Sequence, residues 1–82
     1  GEINFKVRDC QKTIDLVFAE FASSNPRVDK MDGISADFGD WRFNIRASNT
    51  EPLLRLNVET QGTDAKNLLV KYTKLISTLI EQ

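Results

Sequence analysis

Ile3, Phe5 and Val7 alternate with Glu2, Asn4, Lys6 and Arg8, the two-residue period of a strand with one buried face. Asp9 follows as an N-cap oxygen for a helix starting near Cys10, whose apolar positions Cys10, Ile14, Val17, Phe18 and Phe21 form one stripe. Ser23-Ser24-Asn25-Pro26 ends that helix, because a residue preceding proline disfavours the helical region. Residues 27–31 read as a short, weak strand, and Asp32-Gly33 as a two-residue hairpin turn. Alternation returns in Ile34, Ala36 and Phe38, breaks at the tight turn Gly39-Asp40, and resumes in Trp41, Phe43, Ile45 and Ala47. After the break at 48–52, Leu54, Leu56 and Val58 oppose Leu53, Arg55, Asn57 and Glu59. Thr63 or Asp64 then caps a last helix with the stripe Leu68, Leu69, Tyr72, Leu75, Ile76, Leu79 and Ile80.

The predicted order is strand, helix, hairpin-linked strands, helix. Two amphipathic helices need a surface on which to bury their stripes, and the apolar face of an antiparallel sheet supplies one. The expected fold is therefore α+β, a two-layer sandwich with about four strands and two helices on one face. The other face of the sheet is left open and polar, carrying Asn4, Lys6, Arg42, Asn44, Arg46, Arg55, Asn57 and Glu59.

Composition narrows the functional classes. The 82 residues suit one small domain with a modest core. Eleven basic against twelve acidic residues give no electrostatic case for nucleic acid or an acidic membrane surface. Trp41, Phe38 and Phe43 fall on the apolar side of their strands, so they cannot stack on bases. A lone Cys10 rules out an internal disulfide and points to a reducing compartment, here expected to be the cytoplasm. The absence of histidine removes the commonest general base and metal ligand, and no catalytic or metal-ligating residue is expected in the chain. No apolar run approaches the ~20 residues of a membrane-spanning helix. The start at Gly1, without methionine, suggests a piece of a longer protein.

One stretch carries unusual chemistry: Arg46-Ala47-Ser48-Asn49-Thr50-Glu51-Pro52. Arg46 offers a planar fork that matches two phosphate oxygens. Ser48 and Thr50 offer hydroxyls, Asn49 an amide, and a tight loop can aim successive backbone N–H groups at one anion. Pro52 would stiffen the exit. Ser, Asn and Thr are also ordinary turn residues, and Arg46 could instead pair with a surface carboxylate such as Asp37 or Glu59. Arg55 shares the open face with Arg46, where it could add positive potential or pair with Glu59. Glu51 could orient Arg46 or hold the loop by hydrogen bonds.

The run from Asn44 to Glu59, centred on Arg46-Ala47-Ser48-Asn49-Thr50-Glu51-Pro52, resembles the phosphate-binding loop of the α-D-phosphohexomutase family. Met31-Asp32-Gly33-Ile34 and the closing helix extend the resemblance to essentially the whole chain, as that family's C-terminal domain. Asn49, where the phosphoglucosamine branch tends to show glycine, favours the phosphomannomutase/phosphoglucomutase branch. The resemblance implies a TATA-binding-protein-like fold and residues 1–82 as the fourth domain of a four-domain enzyme. Such enzymes interconvert 1-phospho- and 6-phosphosugars through a bisphosphate, with a phosphoserine, Mg²⁺ and the sugar contacts all in the other domains. It implies that Arg46, Ser48, Asn49 and Thr50 hold the phosphate that is not reacting, supported by Glu51 and Arg55, with no cofactor in this domain. The implied partners are glucose or mannose 1- and 6-phosphates, their bisphosphate, and the remaining domains. A rival expectation is a stand-alone protein-interaction module that uses the open sheet face.

Overall fold

The computed structural model describes residues 2–31, 33–48 and 50–81. Its elements are β1 (Glu2–Lys6), α1 (Cys10–Phe21), a 3₁₀ turn (Ala22–Ser24), β2 (Arg27–Asp29), β3 (Ile34–Asp37), β4 (Trp41–Ala47), β5 (Leu53–Thr60) and α2 (Ala65–Ile80). The strands form one antiparallel sheet in the order β1-β5-β4-β3-β2, with both helices packed on one face. The α+β sandwich is as expected, but the sheet has five strands rather than about four. The short, weak strand expected over residues 27–31 is present as β2, three residues long at the sheet edge, and with it all five strand segments join one sheet.

Strand alternation decides the core. Ile34, Ala36, Trp41, Phe43, Ile45, Leu54, Leu56 and Val58 are buried toward the helices, where they meet Ile14, Val17, Phe21, Ile76 and Ile80. Trp41 stacks on Phe38 at 4.3 Å and on Tyr72 at 3.7 Å between ring centroids, and Phe21 meets it edge-on at 5.3 Å. The aromatic residues are therefore committed to packing. The stripe of α2 is less completely covered than its periodicity suggests. Leu75 retains 39% exposure, and only Ile76 and Ile80 are fully enclosed.

The caps and turns show where local chemistry sufficed. Asp9 caps α1 by accepting a hydrogen bond from the Lys12 N–H at 3.0 Å. Asn25, in the left-handed region, and Pro26 close off the helix that ends at Phe21. Asp64 occupies the N-cap position of α2 but makes no side-chain bond to the backbone there; it accepts from the Asn67 amide at 2.8 Å. Gly39-Asp40 is a two-residue turn, closed by Phe38 N–H on the Trp41 carbonyl at 2.9 Å, with Gly39 at φ 97° as its first central residue demands. The Asp32-Gly33 turn differs. Asp32 lies outside the described residues, and Asp29 pairs with Ser35, a register that a two-residue turn at 32–33 cannot produce. The connection is longer, and Met31 is no part of β2.

Candidate anion-binding loop

β4 and β5 run side by side from Trp41↔Thr60 to Ala47↔Leu54, and residues 48–52 link their ends. The loop is closed at its base by the Ser48 N–H on the Leu53 carbonyl at 2.9 Å, the same carbonyl that faces the Cys10 thiol at 3.7 Å. At its exit the Leu53 N–H bonds to the Glu51 carbonyl at 2.8 Å, a one-residue turn about Pro52. The Pro52 carbonyl in turn accepts from the Val7 N–H at 3.1 Å, so β1 braces the loop from the far side of β5. Within the loop the Thr50 N–H reaches the Ser48 Oγ at 3.4 Å.

These bonds decide what the loop can offer a ligand. The backbone N–H groups of Ser48 and Thr50 are engaged inside the loop, so they do not form the backbone nest that the sequence suggests. The side-chain hydroxyls remain. Ser48 Oγ accepts from Thr50, which leaves its own O–H to donate elsewhere. Ser48 is half-buried and Thr50 exposed, at the rim of the open face. Asn49 lies outside the described residues. Glu51 contributes through its carbonyl, and its side chain is exposed.

Arg46 is half-buried on the open face, two positions before Ser48 and directly opposite Arg55. Its backbone is fixed by a close approach that the turn chemistry of Asp-Gly concealed. A Cβ added to Gly33 would lie 2.7 Å from the Cβ of Arg46, 2.8 Å from its Cα, and closer still to the Ile45 carbonyl oxygen. Gly33 also has φ 72°, so both space and conformation require glycine there. The sequence marked Gly33 as a turn residue; its packing role had no separate signal.

The carboxylates expected to compete for these arginines are held elsewhere. Glu59 lies opposite Arg42 and accepts from its Nε at 3.1 Å and its Nη2 at 2.6 Å. Asn57 adds a third donor at 3.3 Å. The hydrogen bonds and charge of Arg42 hold the Glu59 carboxyl below the usual carboxylate range, and Glu59 raises Arg42 in return. Asp37 also lies opposite Arg42 and accepts from the Gly39 N–H at 2.9 Å. Both acids thus sit four strand positions from Arg46, roughly 13 Å along the sheet. Of the two roles left open for Arg55, pairing with Glu59 is not the one seen, because Glu59 pairs with Arg42. Among the described residues no group of three or more carboxylates or thiols is placed to hold a metal ion, and no helix is long and apolar enough to cross a membrane.

Residues 2–72 match the family model described as "Phosphoglucomutase/phosphomannomutase, C-terminal domain". The chain belongs to this family. A protein of Xanthomonas campestris pv. campestris (strain B100) named "Phosphohexose mutases" is 58% identical over 80 residues, covering 98% of this chain and 17% of that protein. The phosphomannomutase of Salmonella typhimurium (strain LT2) is 52% identical over 62 residues, 76% of this chain and 14% of the relative. That of Escherichia coli (strain K12) is 44% identical over 82 residues, 100% of this chain and 18% of the relative. The chain therefore spans less than a fifth of the length of these curated relatives. As a phosphoglucomutase/phosphomannomutase C-terminal domain, it carries the Arg46–Pro52 loop at one end of an open sheet face, above a core that fixes both flanking strands.

Proposed function

We propose that this domain grips the non-transferring phosphate of a phosphohexose, within an enzyme that interconverts 1-phospho- and 6-phosphosugars. The observation that carries the reading is the braced loop: its base is tied to Leu53, its exit to Val7, and Ser48 and Thr50 follow directly on the strand that carries Arg46. A phosphate that does not react needs to be held rather than activated. Binding energy gained at that remote end helps orient the reacting end. Hydroxyls and a guanidinium read only the phosphate, so the same clamp accepts either end of a bisphosphorylated hexose after it turns over. Closure of such a domain over the substrate would also exclude water from phosphoryl transfer. Glucose and mannose phosphates are the proposed ligands, and the other domains of the parent enzyme, with their Mg²⁺, the proposed partners. The proposed compartment is the cytoplasm.

The test is Arg46→Ala in the full-length enzyme. Loss of charge-assisted hydrogen bonds worth about 1.5–3 kcal/mol predicts a fall in kcat/KM of roughly tenfold to a hundredfold, with the circular dichroism spectrum unchanged. An unchanged kcat/KM would remove Arg46 from the site.

A second reading, docking of a protein on the open face, draws on a shallow groove of about 330 Å³ there, lined by Arg27, Asp29, Ser35, Asp37, Arg42 and Asn44 among others. It predicts that Arg42→Gln impairs function while Arg46→Ala does not.

A further inference from the structure

We propose that Val7 is a positioning residue for the loop site, acting through its backbone N–H. By holding the Pro52 carbonyl it sets the second half of the loop, and with it Thr50, in the pose that receives an anion. The proposal rests on the phosphate reading above and gives a role to a segment that contributes no side chain to the site. Three observations carry it.

First, the two halves of the loop are anchored by different elements. Ser48, at the entrance, is tied within the hairpin by its N–H on the Leu53 carbonyl. At the exit, the Leu53 N–H closes a turn about Pro52 on the Glu51 carbonyl, but that bond joins near neighbours and fixes no outside point. Second, Pro52 has no N–H, so its carbonyl is the one backbone group through which it can be held. The Val7 N–H takes that carbonyl at 3.1 Å. Among the described residues, no other hydrogen bond reaches residues 48 and 50–52 from outside the β4–β5 hairpin. Third, Val7 is itself anchored. It follows directly on β1, whose pairing with β5 runs to Lys6↔Leu53, and its side chain is half-buried against the core.

A bond that holds a loop in the receiving pose reduces the ordering that a ligand must impose, and so raises affinity. The coupling is reciprocal: a ligand that gains from the bond strengthens it by the same factor.

Cys10 allows the test in the native sequence. A synthetic segment 1–9 is ligated at Cys10 to a ¹⁵N-labelled segment 10–82, with the Lys6–Val7 amide replaced by an ester. The Val7 N–H is deleted and both side chains stay. The Lys6 carbonyl of the same trans peptide points the opposite way, to the open edge of β1, so no second strand bond is disturbed. A control chain carries the ester at Asn4–Phe5. The Phe5 N–H also faces β5, two residues earlier, but lies away from the loop. Inorganic phosphate is titrated at fixed pH and ionic strength, following the amides of Ala47 to Glu51. The Val7 ester is expected to bind phosphate about fivefold more weakly than the all-amide chain, a factor that corresponds to about 1 kcal/mol. The Phe5 ester should melt lower to a similar degree, yet bind phosphate as the all-amide chain does. In the parent chain, phosphate should slow hydrogen exchange at the Val7 amide more than at Phe5, against chloride of equal ionic strength.

Equal affinity of the Val7 ester and the all-amide chain, or an equal loss in both ester chains, overturns the role of Val7 and leaves the clamp standing. Should the Val7 ester not fold, exchange in the parent chain decides: selective slowing at Val7 supports the proposal, and its absence overturns it. No shift of the loop amides of the parent chain with phosphate overturns the clamp and this proposal together.

Discussion

Gly33 and Arg46 work as a unit. The glycine lets one backbone pass against another where any Cβ would strike Ile45 and Arg46, and that contact fixes the last turn of the pleat before the loop. Gly33→Ala is therefore expected to cost at least about 2 kcal/mol, from the left-handed conformation and the collision together. A melting curve would show a drop of about 8 °C or more in a domain this size. An unchanged Tm would mean that the strands part without penalty. Arg42 and Glu59 illustrate a different use of charge on the same face. Their side chains are 61% and 50% exposed, so the pair contributes little to stability, but it settles which arginine the acid takes. The folded-state midpoint of Glu59 is depressed, so what the pair contributes is present above the unfolded-state value and is lost as pH falls through the folded one. Arg42→Gln should raise the Glu59 midpoint seen in a carboxyl ¹³C titration, and a midpoint that stays put would mean that Arg42 is not its cause.

At the scale of elements, stability rests on the aromatic layer between sheet and helices and on the cap of α1. Trp41 touches Phe38, Tyr72 and Phe21, and Trp41→Ala should cost about 3–5 kcal/mol by urea denaturation. Asp9→Ala should cost about 1 kcal/mol through the lost bond to Lys12, and a smaller effect would mean that solvent replaces the cap. Most elements were legible because each obeys one local rule: alternation in β1, β4 and β5, a stripe in α1, glycine at the first position of the Gly39-Asp40 turn. What was not legible depends on partners distant in sequence. β2 was expected as a weak strand over 27–31, but its place at the sheet edge and its end at Asp29 depend on pairing with β3. The register at Asp29↔Ser35 is set by that pairing rather than by Asp-Gly chemistry. The loop could be located from Arg46 to Pro52, but its brace to Val7, its tie to Leu53 and the engagement of its N–H groups could not. Which acid would claim which arginine was likewise undecided until β4 and β5 were aligned, because both Arg42 and Arg55 lie within a few residues of Glu59 in the sheet.

The molecule as a whole is a sheet with one face devoted to the core and the other left for contact. Its charges on that open face are segregated. The Arg42 row carries Arg27, Asp37 and Glu59 in near balance, whereas strand pairing sets Arg55 and Asn4 beside Arg46. The proposed clamp lies at the Arg46 end, where the loop presents its hydroxyls. On the proposed reading the chain alone should bind sugar phosphates weakly, since it would hold the phosphate and not the sugar. The most direct measurement is a ¹H–¹⁵N titration of this chain with glucose 1-phosphate, mannose 1-phosphate and inorganic phosphate, carried to tens of millimolar, about the range for a free energy of a few kcal/mol. The clamp predicts shifts concentrated at Ala47 to Glu51 and similar for all three ligands. Shifts spread over the groove around Arg42 and Asp37, or none at the loop even at the highest concentration, would contradict it.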